Sequence, residues 1–357
     1  MSNPNMSAIA KKAGVGKATV SLALRNDPRL RPETRRRIQA VADRMGYRAN
    51  AVVSNLMAQL RASRNPKYQS TIGILNASTT RDSLQKNNTF RGWTHGLRAH
   101  CSELGYGADE FWLHEPGVSP ERLRQILQAR NIRGVIIAAI DHRDLPPEFD
   151  ILWQDLACVV LGIRPERPAL HFACNDQFST AMHTAWELDR LGYTRPGLAI
   201  EPAIEENIDH RFAAGFYAGR TLEDLKSRIP VFDFHPRAQR NFADWMHKHR
   251  PDAIVCTHPE IRDWVEALGL ECPKDIGLAH LDLTPELDGW SGMHQNNEVI
   301  GAFAVDLVIG QLHRNETGIP DRPKCMMIES QWVSGHTLRK PPGHQEPSRR
   351  RTKRKAA

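Results

Sequence analysis

Lys17 and Ala18 stand directly after Gly14-Val15-Gly16, at the head of the stretch Lys17–Leu24, which reads as a short helix. The first residues of a helix laid in a major groove face base edges. There an ammonium donates to guanine O6 or N7, and a methyl group packs on the thymine methyl. Thr19, Ser21, Asn26 and Tyr47 carry hydroxyl, amide and phenol groups that hold phosphates and fix register without reading sequence. For Thr19 and Ser21, bonding to their own backbone is the competing reading. The implied chemistry is recognition of a polyanion.

Charge runs the same way. Residues 1–65 hold 13 Lys/Arg against 3 Asp/Glu, and residues 340–357 hold 7 against 1, while the whole chain carries +7. The intervening 66–339 is therefore net −9, a basic head and a basic tail around an acidic body. Segregated charge fits a polyanionic partner at the ends.

Catalytic patterns are weak by comparison. Gly14-Val15-Gly16-Lys17 lacks the earlier glycine and the Ser/Thr of a phosphate loop, and Gly105-Tyr106-Gly107 lacks the third glycine of a dinucleotide fingerprint. Cys256-Thr257-His258 is a poor metal pair, and neither HExxH nor GxSxG occurs. No enzyme, no cofactor and no metal is expected. Six cysteines without a CxxC pair read as free thiols. The N-terminus lacks a secretory pattern, and no run reaches the roughly 18 apolar residues of a membrane span, so a cytoplasmic location is expected.

The elements that position these residues are legible in part. Apolar spacing predicts helices over Met6–Ala13, Lys17–Leu24 and from Pro32 to Met45, the first two joined by a three-residue turn containing glycine. That is a helix-turn-helix with a third, bracing helix. Residues 50–60 read as a fourth short helix, and Arg61–Gln69, with Pro66, as a linker. From Thr71 onward, short apolar strands (Ile72–Leu75, Gly134–Ile140, Cys158–Gly162, Pro196–Ile200, Ala253–Thr257, Gly277–Leu281) alternate with amphipathic helices. A last helix near Glu298–His313 and a strand near Lys324–Glu329 follow. The fold expected is an α/β core of two doubly wound parallel-sheet lobes, preceded by an all-α headpiece. The proline-rich, basic tail reads as disordered.

Ile9-Ala10, Ala13-Gly14-Val15, Ala18-Thr19-Val20-Ser21, Thr34-Arg35, Gly46-Tyr47, Asn50 and Leu56 resemble the lactose-repressor/galactose-repressor (LacI/GalR) family of bacterial transcription regulators. The similarity continues more loosely to about residue 339. It implies a homodimer on double-stranded operator DNA, with recognition helices in successive major grooves and hinge helices meeting in the minor groove. It also implies a two-lobed core like that of periplasmic sugar-binding proteins, with a small-molecule effector, a sugar or related metabolite, between the lobes. The expected division is a headpiece over 1–48, hinge and linker over 49–69, a core over 70–339 and a basic tail over 340–357. Within the core, the first lobe takes about 70–193 and 290–323, the second about 194–289 and 324–339.

The resemblance also assigns roles. Position 22 is a third base-reading site where many relatives carry Arg; Leu22 leaves apolar readout or plain packing. Leu56 matches the leucine that wedges between the central base pairs, an unstacking of about a few kcal/mol offset by contacts on bent DNA. Asn55 beside it is suited to the minor groove, and Asn50 closes a lead-in that has Ala49 where relatives carry proline. Inward packing of Leu56 is the alternative. In the core, Arg211 of Arg-Phe-Ala-Ala-Gly-Phe matches an arginine that forks onto ligand hydroxyls or carboxylates. Asp282 follows a predicted strand, where open sheets place ligands. Asp176 and Gln295 match further effector-contacting positions, and Phe90 and Trp290 are aromatic candidates for a sugar face. A purely structural role is open for each of the six. Single-leucine content in Ser334–Ala357 argues against the leucine heptad through which some relatives tetramerise. Two rival readings are an exported sugar-binding protein and a DNA-binding regulator whose core has lost its ligand response.

Overall fold

The structure, a computed structural model, describes residues 6–24, 29–45, 70–141, 143–221, 226 and 228–340. Helices α1 (Met6–Ala13), α2 (Lys17–Leu24) and α3 (Pro32–Arg44) form the N-terminal bundle. Its core is Ile9, Ala10, Ala13, Val20, Ala23, Ile38, Val41 and Ala42, with Val15, Leu24, Leu30 and Met45 packed around it. These core residues lie on the inward faces of the three helices that apolar spacing predicts. Gly14 ends α1 at φ +66, a conformation that disfavours any Cβ, and the Val15 N–H returns to the Ala10 carbonyl. This six-to-one closure is a Schellman motif and sets the turn into α2. Gln39 of α3 donates to the Ala23 carbonyl at 2.9 Å, tying the brace to the end of α2.

Beyond the bundle lie two six-stranded sheets. The first holds β1 (Ser70–Asn76), β2 (Tyr106–Trp112), β3 (Gly134–Ala138), β4 (Ala157–Leu161), β5 (His171–Asn175) and β11 (Cys325–Ile328) in the order β11-β5-β4-β3-β1-β2, all parallel. The second holds β6 (Pro196–Ile200), β7 (Phe232–Asp233), β8 (Ala253–Cys256), β9 (Gly277–His280), β10 (Ser291–His294) and β12 (Gln331–Val333) in the order β12-β10-β9-β8-β6-β7. Only β12 runs antiparallel to its neighbour. Central strands are covered on both faces, which is why they read as unbroken apolar runs. In the first sheet Ile72, Ile74, Ile136 and Val159 face one layer, while Leu75, Val135, Ile137 and Val160 face the other. Each such side chain contributes roughly 1.5–3 kcal/mol on burial.

The chain forms two compact units, Met1–Asn175 with Asn297–Ile328 and Asp176–Asn296 with Glu329–Ala357. The expected border after residue 193 therefore moves back to Asn175, because helix α5 (Gln177–Arg190) packs on α6 (Arg211–Ala218) of the second unit. Gly215 of α6 sits so close to the Phe178 carbonyl of α5 that a Cβ would overlap it. The expected return near residue 290 lies after Asn296, and β11, expected in the second lobe, pairs with β5 in the first sheet.

The first unit has a matching close approach. Helix α4 (Asn88–Glu103) meets α7 (Asn297–Arg314), with Gly96 against the Glu298 backbone and Gly301 against the Trp93 backbone. Trp93 Nε1 donates to Asn297 Oδ1 at 3.0 Å in the same buried seam. Helix propensity alone favours Gly96→Ala by about 0.8–1 kcal/mol. The carbonyl contact outweighs it, since overpacking costs about 1–3 kcal/mol and here meets backbone that cannot rotate away. Gly96→Ala is therefore expected to destabilise the first unit by about 1–2 kcal/mol in urea unfolding. A variant more stable than the parent would show that the helices are not in contact at this point.

Candidate functional site

Two places are candidates for the chemistry, and each is built by a different device. On the bundle, burial of Val20 and Ala23 fixes which side of α2 faces outward. Lys17 is exposed at its head, and Thr19 and Leu22 are half-buried. Ala18 and Ser21 lie on the same helix. Lys11, Lys12 and Arg31 are exposed as well, giving the bundle a cationic surface. Asn26, Tyr47, Asn50, Asn55 and Leu56, with the expected hinge helix, lie outside the described residues, as does the tail after Lys340.

The second place is the carboxyl edge of the second sheet. Strand order reverses at β6, which has β7 on one side and β8 on the other, and such switch points leave a crevice beyond the strand ends. Glu201 follows β6, Thr257 and His258 follow β8, His280 ends β9, and Asp282 follows two residues later. The His258 ring stacks on Phe234 with centroids 4.0 Å apart and planes at 10°, and its Nε2 lies 3.3 Å from Glu201 Oε2. The Asp282 N–H donates to His280 Nδ1 at 3.1 Å. The neutral ring therefore carries its proton on Nε2, which is buried and makes no hydrogen bond. Thr257 Oγ1 is buried and unbonded too. His258 Nε2 makes no hydrogen bond either, and since buried polar atoms usually have partners, these open groups at strand ends mark a place for a hydroxyl-bearing molecule or ordered water.

Arg211 and Asp176 meet beside this edge. Asp176 caps α5, accepting from the Ser179 amide at 3.3 Å and hydroxyl at 2.8 Å, and Arg211 Nη2 reaches its Oδ1 at 2.9 Å. Burial alone would raise the Asp176 carboxyl, but Ser179 and Arg211 outweigh it and hold it below the usual carboxylate value. The N-terminus of α6 is held in turn by Glu205, whose Oε2 accepts from the Ala213 N–H at 3.2 Å. Burial raises the Glu205 carboxyl against those backbone bonds. His258 is held below the usual histidine value by burial, against the pull of Glu201 and Glu260. Burial pushes His280 down to about 4.

The expected ligand residues separate on this frame. Asp176, Arg211, Asp282 and Gln295 all belong to the second unit, and Phe90 to the first. Gln295 is buried and spends its Nε2 on the Leu281 carbonyl at 2.8 Å, so it braces the loop that carries Asp282. Trp290 is buried in the second core, its ring edge-on to His280 at 5.8 Å, and forms a wall beneath the site rather than an open face. Phe90 is half-buried on α4, 5.1 Å from the Trp93 ring. Sequence reasoning weighs Thr257 and His258 only within a poor metal pair with Cys256 and passes over Glu201 and His280. Their one sequence signal is a polar residue directly after, or at the end of, an apolar strand.

The family model described as bacterial regulatory proteins, lacI family, matches residues 5–50. The regulator PtxS of Pseudomonas putida is 26% identical over 333 residues, covering 89% of this chain and 91% of that protein. PtxS of Pseudomonas plecoglossicida is 28% identical over 325 residues, covering 87% and 90%. Among solved structures, the complex of the transcriptional regulator CelR with cellobiose covers 94% of this chain and 99% of that one, with TM-score 0.57 and 19% identity. The lac repressor dimer bound to operator and the anti-inducer ONPF covers 95% and 100%, with TM-score 0.56 and 18% identity. The structural likenesses establish the two-lobed fold with its N-terminal bundle.

Histidine burial at the strand ends has a pH consequence. Unfolded His280 titrates near 6.5 and folded His280 near 4, so in that window the unfolded chain binds the extra proton. Stability is then lost as pH falls from 6.5 to 4, by about 1.4 kcal/mol per pH unit. His280→Gln is expected to remove about 3 kcal/mol of this acid loss, read from urea unfolding across pH 4–7. Parallel profiles for the variant and its parent would show that His280 protonates freely in the folded state.

Proposed function

Because this chain belongs to the lacI family of bacterial regulatory proteins, we propose that it represses transcription as a homodimer on a palindromic operator and answers to a sugar or related small metabolite at the carboxyl edge of its second sheet. It is a DNA-binding transcriptional regulator with a ligand-binding core. The observation that carries the finer reading is the joining of an outward-facing Lys17 helix to a core whose strand ends hold unbonded, buried His280 Nε2 and Thr257 Oγ1. A neutral, hydroxyl-rich ligand, of the class seen in the CelR–cellobiose complex, suits those donors and the acceptors Glu201 and Asp282. Lys17 reads a base, Ala18 and Leu22 give apolar contacts, and Thr19, Ser21, Asn26 and Tyr47 hold phosphates. Asn50, Asn55 and Leu56 act in the minor groove, and the protein works in the cytoplasm, where its operator is. Among the described residues no helix is long and apolar enough to cross a membrane.

Ligand energy reaches DNA only if the effector favours one arrangement of the protein over another. The hinge segment is the two-state element in this reading, since a helix of about eleven residues is not stable alone. A core without ligand response is the second reading, and a thermal-shift screen across sugars separates the two.

If about 8 phosphates are held per dimer, log Kd against log salt should have a slope of magnitude near 7. Lys17→Ala should relax specificity at one operator position by about 1–3 kcal/mol. Uniform weakening on every sequence would instead make Lys17 a phosphate contact. For an inducer, Arg211→Ala or Asp282→Ala should abolish the effector response while ligand-free operator binding stays within about tenfold. For a corepressor the same changes should cost operator binding in its presence. Calorimetry beside gel shifts reads both, and an unaltered response in both variants would overturn the assignment of the ligand site.

A further inference from the structure

The amino edge of the first sheet, opposite the strand ends where such sheets place ligands, carries a row of cations. Going along it, the Lys324 N–H donates to His171 Nδ1 at 2.8 Å at the start of β5, and the Ala157 N–H donates to the Arg133 carbonyl at 2.9 Å at the start of β4. Ser70, the first residue of β1, lies with its Oγ 3.5 Å from the Asn131 carbonyl, two residues before Arg133. The chain thus enters the sheet from its DNA-reading segment beside Arg133. Arg133, Arg322 and Lys324 are exposed around a concavity of about 600 Å³ at this edge, and Arg35 of α3 lines it as well. Among the described residues Arg133 and Arg322 make no ion pair, whereas Arg124, Arg130 and Arg314 of the same unit are each bound to a carboxylate. Glu316 and Asp321 also face the concavity; Glu316 is held by Arg314 at 2.8 and 2.9 Å.

We propose that this edge is a second, sequence-independent contact with the DNA backbone, in which Arg133, Arg322 and Lys324 take phosphates beyond those held by the bundle. The inference rests on the DNA-binding reading above. Arg133 and Arg322, without an ion pair among the described residues, and Lys324, which shares Glu316 with Arg314, leave this edge with more cations than anions in a body of net −9. Their exposure and the two neighbouring carboxylates suit a grazing polyanion rather than an enclosed small anion. Long flexible side chains on a rigid edge can follow phosphates without reading bases.

The test uses the full chain and a fluorescein-labelled 40-base-pair duplex of mixed sequence, titrated over a range of KCl. The triple variant R133Q/R322Q/K324Q should lower the magnitude of the log–log salt slope by about 0.9 for each phosphate lost, and raise Kd at 0.1 M KCl about tenfold or more. The charge-matched control K248Q/R262Q/K274Q, on the second unit, should keep the parent slope. If the triple variant does not fold, R133Q alone should lower the slope by about 0.9. An unchanged slope in these edge variants overturns the proposal, and so does an equal loss in the control, which would show only a general field effect. Thermal stabilisation of the parent by inorganic phosphate at fixed ionic strength, absent in the triple variant and accompanied by an unchanged slope, would make the edge a small-anion site instead. A parent that binds the duplex independently of salt would refute the DNA reading itself, a result distinct from any of these.

Discussion

Asp176 holds a charge that burial opposes, and the groups that keep it ionised also set the geometry of the second unit. Its carboxylate closes the first turn of α5, where unpaired backbone N–H groups and the helix dipole favour a negative charge. The same carboxylate fixes Arg211 at the first turn of α6, so one residue orients two helices that Gly215 brings into backbone contact. Asp176 is also the residue at which the chain enters the second unit. A ligand that engages Arg211 competes for a guanidinium already committed to Asp176, and the outcome is felt at the start of both helices.

The rest of that site is defined by what is left unsatisfied. A buried donor without an acceptor costs about 1–3 kcal/mol, and the second unit keeps Thr257 Oγ1, His258 Nε2 and His280 Nε2 buried without a hydrogen bond at adjacent strand ends. Trp290 and Phe234 line the apolar floor beneath them, and burial there holds both histidines below the usual histidine value. The basic character lies elsewhere, on the bundle and along the amino edge of the first sheet. In the function proposed above, ligand chemistry and DNA chemistry thus fall on surfaces of different charge.

How much of this is legible in the sequence depends on burial. β1, β3, β4, β6, β8 and β9 are covered on both faces and announce themselves as apolar runs. β2, Tyr-Gly-Ala-Asp-Glu-Phe-Trp, lies at a sheet edge and half-exposed, so its polar residues hide it. β7 and β12 are too short to carry a period. Helix α5 is plainly amphipathic, yet amphipathicity alone cannot assign it to a lobe; the partner glycine at 215 does. The positions of Arg211, Asp176 and Asp282 are readable through family likeness. Thr257, His258 and His280 are not, because their meaning arises only when β8 and β9 lie side by side and bring these three polar residues to one edge.

The exposure pattern of α2 has a bearing on how such a protein changes over generations. Val20 and Ala23 hold the helix in place through a core that Gly14, Gln39 and Ile38 complete, while Lys17 takes no part in that core. Substitutions at the outward position leave the packing untouched, and those at the inward positions leave the outward surface untouched. If Lys17 reads a base as proposed, preference for a DNA sequence and persistence of the fold are thereby inherited on separate residues. On that proposal, a duplicated copy can drift to a new target through outward positions such as Lys17 without passing through an unfolded ancestor.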